Sequence, residues 1–135
     1  MSYNQMSWSA MKHVESNIQI GCVRWFRLAY PALATLLFSV PNGGYRNAIT
    51  AKVMKAEGQV AGVSDLILLY PNNHYHALCI EMKAEKGRQS DHQKAFQKAV
   101  EDAGYKYIIC HNFDEFRANV CDYLRNSAIL NGRNL

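Results

Sequence analysis

The chain has 135 residues, a length typical of one domain, and 49% of them are apolar, enough to bury a core without disulfides or a structural metal. No apolar run reaches the length of a membrane span, and the N-terminal stretch lacks the apolar segment of a secretion signal. The four cysteines lack the close spacing of zinc ligands, and the net charge of +4 is compatible with nucleic acid without indicating it. We therefore expect a single domain over residues 1–135, soluble and cytoplasmic, with no membrane contact and no organic cofactor.

The first part of the chain predicts a helix, a strand and a shorter helix. Apolar residues recur at helical spacing between about residues 9 and 29, at Met11, Val14, Ile18, Cys22 and Trp25. The run ATLLFSV at 34–40 predicts a buried strand, and PNGG at 41–44 forces a turn. A polar and basic stretch follows at 45–61, and we expect a short helix within it at about 47–57.

The middle of the chain predicts a hairpin that carries two acids and a lysine. Apolar strands are expected at 65–70 and 76–83, on either side of a Pro-Asn-Asn turn. With the turn centred in that loop, antiparallel pairing places Asp65 opposite Glu81. Side chains alternate along a strand, so Glu81 and Lys83 share a face. Two carboxylates and one ammonium group would then meet at one end of the hairpin.

The last third predicts a helix, a strand and a final helix. Ser90 and Gln93 form a capping-box pattern at the start of a helix that ends near Gly104. A strand is expected at 105–110 and an amphipathic helix at about 113–125. The resulting order, α-β-(α)-β-β-α-β-α, predicts an α/β fold with a mixed β-sheet flanked by α-helices.

The predicted cluster at the hairpin end is suited to binding a divalent cation. Two close carboxylates in a buried sheet repel each other, and a cation relieves that repulsion. Oxygen ligands suit Mg²⁺ or Mn²⁺, which can hold a phosphodiester oxygen and acidify a bound water. Lys83 could orient that water or stabilise charge on phosphorus. The alternative is a salt bridge at a strand end, which is the usual explanation of an isolated D…ExK pattern; the pairing of two apolar strands favours the metal site.

Two further polar residues lie on helix faces that should turn towards the sheet. Glu15 lies about 40° from Met11 around the first helix, at 100° per residue, so it is either a further metal ligand or an acid that reaches solvent at the edge of the apolar face. Gln93 lies about 20° from Val100 around its helix; it completes the capping box, contacts substrate or water, or does both.

Three segments of the chain carry a family resemblance: GVSDLILLY at 62–70, LCIEMKAEKGRQSDHQKAF at 78–96 and EDAGYKYIIC at 101–110. In this order they resemble the VRR-NUC family of virus-type replication-repair nucleases, within the PD-(D/E)XK superfamily. The likeness begins at the ExxxQ helix of Glu15 and extends to the last strand. Ser64 stands where the superfamily's name has proline.

The resemblance implies a restriction-endonuclease-like fold and metal-dependent hydrolysis of DNA by in-line attack of water, leaving 5′-phosphate and 3′-hydroxyl ends. It implies catalytic roles for the side chains of Glu15, Asp65, Glu81, Lys83 and Gln93. The metal, Mg²⁺ or Mn²⁺, would be held by Asp65, Glu81, Glu15 and the backbone carbonyl of Met82.

Stand-alone members of the family are expected to be homodimers that resemble Holliday-junction resolvases, because two opposed cuts need two sites. Trp8 and Trp25 are candidates for the dimer interface, or else belong to the core. DNA contacts are expected from basic and turn residues near the site: Asn42, Gly43, Arg46, Lys52, Lys55, Lys86 and Arg88. The alternatives are a nuclease that cuts flap, nicked or duplex DNA, and a DNA-binding module without turnover.

Overall fold

The computed structural model describes residues 7–41 and 47–127. Within them, helices and strands follow the predicted order: α1 (Trp8–Ala29), β1 (Leu37–Ser39), α2 (Ala48–Ala56), β2 (Leu66–Leu68), β3 (Leu78–Met82), α3 (Asp91–Asp102), β4 (Lys106–Cys110) and α4 (Phe113–Arg125). Asn47, Ser90 and Asn112 cap three of the helices, each with a side-chain oxygen that accepts a backbone N–H of the first turn.

The four strands form one mixed sheet in the order β1-β2-β3-β4. The pairs β1–β2 and β2–β3 are antiparallel, whereas β3 and β4 are parallel and are connected through α3. Leu66 lies opposite Ile80 in the central hairpin. One step further along both strands, this register places Asp65 opposite Glu81, as the sequence predicted.

The strand predicted at 34–40 is shorter than expected. Residues Pro31–Leu36 form a 3₁₀ helix, and the strand itself is limited to Leu37–Ser39. Pro31 stands at the start of the 3₁₀ helix, where its fixed φ suits a helical turn and its missing N–H costs nothing. A short apolar run does not distinguish a buried strand from a buried helical turn, so periodicity alone could not separate the two.

Helices cover both faces of the sheet. One face packs against α1 and α4 in a core that includes Cys22, Phe26, Leu78, Ile80, Met82, Phe116 and Val120. Trp25 is partly buried and packs against this core, edge-on to Phe113 at 5.8 Å between ring centroids. The Trp8 side chain lies outside the described part, so a dimer interface at either tryptophan stays a prediction. On the other face, Phe96 of α3 contacts Tyr107 of β4. Glu81 lies on this second face because it alternates with Ile80 and Met82.

In the described part of the chain, none of the helices combines the length and the apolar character that crossing a bilayer requires.

Candidate active site

Asp65 lies where the central hairpin ends. Its backbone carbonyl accepts the Val40 N–H at 3.0 Å, which extends the pairing between β1 and β2 by one residue. Its side-chain Oδ2 accepts the Met82 N–H at 2.7 Å. Asp65 is therefore fixed from both sides: the edge strand holds its backbone, and the backbone of the strand that carries Glu81 holds its carboxylate.

Glu81 is the buried acid of the site, with 2% of its side chain exposed. Its Oε1 accepts a hydrogen bond from Gln93 Nε2 at 3.0 Å and lies 3.9 Å from Lys83 Nζ. Its Oε2 is buried and has no hydrogen-bond partner among the described residues. A buried oxygen without a partner is costly, so this atom is suited to accept a ligand.

The surroundings of Glu81 favour its neutral form when no cation is bound. Burial, followed by the nearby Asp65 carboxylate, raises the pKa of Glu81 to about 8, while Lys83 and Lys12 oppose the shift. A divalent cation beside the unpartnered Oε2 would favour the carboxylate instead. Two carboxylates with a free oxygen form a donor set that fits Mg²⁺ or Mn²⁺.

Gln93 completes the predicted capping box and also contacts the site through Glu81, while the predicted contact with substrate or water stays a prediction. Its Oε1 accepts the Ser90 N–H at 2.8 Å, and Ser90 Oγ accepts the Gln93 N–H at 3.2 Å, which completes the capping box. The other end of the same amide donates to Glu81. One side chain therefore fixes the start of α3 and the orientation of the Glu81 carboxylate.

A glycine allows the segment before β2 to lie against the start of α3. Gly62 has φ of +86°, and a Cβ there would collide with the backbone of His92. This close approach brings the segment that leads to Asp65 against the helix turn that carries Gln93.

Glu15 reaches the end of β3 without joining the two central acids. Its Oε1 accepts the Ala84 N–H at 3.1 Å, and its Oε2 pairs with Lys12 Nζ at 3.3 Å. Within residues 7–41 and 47–127, no three His, Cys, Asp or Glu side chains are grouped closely enough to hold a metal ion. The structure therefore brings Asp65, Glu81, Lys83 and Gln93 together and places Glu15 beside them.

The predicted DNA contacts are spread over several segments. Lys52 and Lys55 are exposed on α2, and Lys86 and Arg88 are exposed on the loop after β3. Three further candidates lie outside the described residues: Asn42, Gly43 and Arg46.

A groove of about 1100 Å³ runs between α1 and β1, and Asp65 and Glu15 are among its lining residues. Its cationic side chains are Lys12, Arg24 and Arg27. Neither the motifs nor the family resemblance pointed to these cations. The available signal was a pair of series on α1 with intervals of four, 12-16-20-24 and 15-19-23-27, which place these residues along one side of a helix.

Comparison with known proteins gives one family and one fold. The model of the VRR-NUC domain matches residues 5–114. A solved structure described as a "VRR_NUC domain protein" is similar over 84% of this chain and 89% of its own chain, with a TM-score of 0.74 and 21% sequence identity, which establishes a common fold. No curated protein matches the chain.

Proposed function

Because the chain belongs to the VRR-NUC domain family, a family of nuclease-type, DNA-processing function, we propose that it is a metal-dependent endodeoxyribonuclease acting at the site of Asp65, Glu81 and Lys83. The observation that carries this proposal is the pairing of Asp65 with Glu81 at the hairpin end, where one buried carboxylate oxygen accepts no hydrogen bond from the described residues. Glu81 and Lys83 are buried beside a second acid, an arrangement that costs stability and therefore favours a functional role.

Each side chain of the site has a separate role in this proposal. Asp65 and Glu81 would hold Mg²⁺ or Mn²⁺, with the Met82 carbonyl as a further ligand. Glu15 would become a further ligand only by giving up the Ala84 N–H or Lys12, the partners that its two oxygens have in the metal-free site. When bound, the metal supplies positive charge that polarises a phosphodiester and lowers the pKa of a water. Lys83, whose side chain is 10% exposed, orients the attacking water or stabilises the charge that develops on phosphorus.

Gln93 keeps Glu81 aligned through its amide hydrogen bond, so it acts as a positioning residue. The reaction breaks the P–O3′ bond by in-line attack of water and leaves 5′-phosphate and 3′-hydroxyl ends. The groove along α1 and the basic side chains of Lys52, Lys55, Lys86 and Arg88 receive the DNA backbone, as do Asn42, Gly43 and Arg46.

The favoured substrate is branched DNA, and the four-way junction in particular, cut by a homodimer in the cytoplasm. A two-fold symmetric dimer supplies the two opposed sites that a junction needs. Sedimentation at several protein concentrations measures the mass in solution, and paired symmetric nicks in a junction measure the geometry of cutting. A monomer that nicks flaps or plain duplex with equal efficiency would contradict this part of the proposal.

The central experiment is a cleavage assay on four-way, flap, nicked and duplex DNA with Mg²⁺ or Mn²⁺. We expect Asp65→Ala and Lys83→Ala each to lower the cleavage rate by at least about 100-fold, the scale on which loss of a catalytic group acts. The matched control is Asp122→Ala, an exposed acid on α4 that is 62% accessible. Unchanged cleavage by the two site variants would show that the site is wrongly assigned, and binding without cleavage by the wild type would indicate a non-catalytic module.

A further inference from the structure

A small cleft of about 150 Å³ opens beside the proposed active site. Its lining combines the start of α1, the end of β3 and the loop that follows: Met11, Lys12, Glu15, Lys83, Gly87 and Arg88. Asp65 is absent from this lining and instead lines the larger groove, whereas Lys12 and Glu15 line both. The cleft therefore adjoins both the larger groove and the catalytic centre.

The charges around this cleft favour an anion. Lys12, Lys83 and Arg88 come from three separate segments of the chain, and Glu15 is the one acid in the described lining. The Glu15 carboxylate already accepts the Ala84 N–H and pairs with Lys12. Because Glu15 offsets Lys12 and Glu81 lies 3.9 Å from Lys83, Arg88 supplies most of the remaining positive charge, in a concave space where attraction to an anion is strengthened.

The size of the cleft suits a tetrahedral oxyanion. Its volume is several times the roughly 30 Å³ that one water molecule occupies in the liquid. Gly87 helps to keep it open, because a Cβ at this position would come within 3.4 Å of Lys83 Cδ and 3.1 Å of the Ala84 carbonyl. A side chain at position 87 would therefore lie tightly against the Ala84 carbonyl and in contact with the lysine that lines the cleft.

We propose that this cleft binds a non-scissile phosphate of the DNA strand being cut, with Lys12 and Arg88 as positioning residues. The inference rests on the proposed nuclease function and adds to it the way the strand is aligned. Lys83 lines the cleft and also lies 3.9 Å from Glu81, so the phosphate in the cleft is a close neighbour of the one that reacts. Arginine and lysine hold such phosphates through charge-assisted hydrogen bonds.

The test combines variants with chemically altered DNA. A series of otherwise identical substrates carries one uncharged methylphosphonate at successive positions on either side of the cut. For one position we expect wild-type kcat/KM to fall about tenfold, and we expect Lys12→Ala and Arg88→Ala each to cause a similar fall on unmodified DNA. On the substrate modified at that position, the variants should lose little more, because the charge they contact is already absent.

The control variant is Arg125→Ala. Arg125 is an exposed cation at the end of α4. The carbonyl of its neighbour Asn126 accepts the Asn73 N–H at the hairpin turn, so Arg125 lies at the opposite end of the sheet from the site. Its removal should leave every substrate unaffected. Arg88→Lys should restore part of the lost activity, since it retains the charge without the paired donors.

Two results would overturn the proposal. The first is a normal kcat/KM in both variants. The second is that, at every position of the methylphosphonate, the fall in kcat/KM caused by the variant multiplies with the fall caused by the modified phosphate. Binding measured by anisotropy without divalent metal gives the same comparison independently of cleavage. If the wild type cuts no DNA, the proposed nuclease function fails, whereas the cleft is still tested by whether Arg88→Ala and the modified phosphate weaken binding non-additively.

Discussion

Glu81 combines an unfavourable environment with a specific anchor. The carboxylate is buried beneath α3 and faces Asp65, and both effects raise its pKa to about 8. Gln93 nevertheless donates to one of its oxygens and so holds it in place. Without a cation, a residue held in this environment lowers the stability of the fold, and with a cation it serves as a ligand. Such a loss of stability is expected where a site is built for function.

This balance predicts how Glu81→Gln changes stability. The pKa of Glu81 is about 4.5 in the unfolded chain and about 8 in the folded chain. Between these pH values the folded state binds more protons than the unfolded state, so the stability of the metal-free protein falls as the pH rises. The glutamine variant does not titrate. We therefore expect its melting temperature in EDTA to exceed that of the wild type at pH 8, with the difference shrinking towards pH 4.5.

Adding metal should reverse the order of the two melting temperatures, so that the wild type melts at a higher temperature than Glu81→Gln. A cation that binds only the folded state, at a free concentration of 100 times its Kd, raises the free energy of unfolding by about 2.7 kcal/mol. Mn²⁺ should therefore raise the melting temperature of the wild type and leave that of Glu81→Gln nearly unchanged. The control is Glu101→Gln, an exposed acid on α3. Equal melting temperatures of the wild type and Glu81→Gln in EDTA at pH 8 would contradict the assigned burial cost.

At the scale of elements, the site depends on how closely the segment before β2 approaches α3. Two glycines with positive φ lie in this segment, Gly58 at +110° and Gly62 at +86°. A Cβ at Gly58 would meet nothing within 4 Å, whereas one at Gly62 would meet the backbone of His92. Alanine variants at the two glycines therefore distinguish two contributions to the loss of stability: the strained backbone conformation alone at Gly58, and the added collision with α3 at Gly62.

We expect Gly58→Ala to destabilise the fold by about 1–2 kcal/mol, the cost of placing a side chain in the left-handed region. Gly62→Ala should cost about 1–3 kcal/mol more, because the added methyl group must push α3 away from the strand. Urea unfolding measures both. Gly62→Ala should also lower the cleavage rate, since Gln93 lies at the displaced turn. Equal losses of stability in the two variants would show that the contact with His92 contributes nothing.

The sequence was sufficient to predict those helices and strands for which periodicity, turn residues and caps indicate the same structure. The pairing of Asp65 with Glu81 could be predicted because alternation and turn length fix the register of a hairpin. The strand at 34–40 was wrong in its first half, because Pro31 begins a 3₁₀ helix in an apolar run that suits either structure. The shifted pKa of Glu81 depends on burial under α3, which no local pattern encodes.

At the scale of the whole molecule, the sequence identified charged residues but not the surface they form. Helical angle placed Glu15 on the side of α1 that faces the sheet, yet it could not reveal that Ala84 would be its partner. The groove that joins Glu15 to Arg24 and Arg27 depends on where β1 packs beside α1. Single-domain organisation over residues 1–135 stays a prediction.

This groove predicts how DNA affinity responds to salt. If Arg24 and Arg27 each neutralise a phosphate, the double variant Arg24→Ala, Arg27→Ala should lower affinity and reduce the slope of log K against log salt by about 0.9 per lost contact on duplex DNA. Anisotropy titrations without divalent metal measure binding before any cut. The matched control, Lys98→Ala, removes an exposed cation paired with Asp102 on α3, across the sheet from α1, and should leave the slope unchanged. Weaker binding with the original slope would mean that the two arginines support the fold of α1 without contacting phosphate.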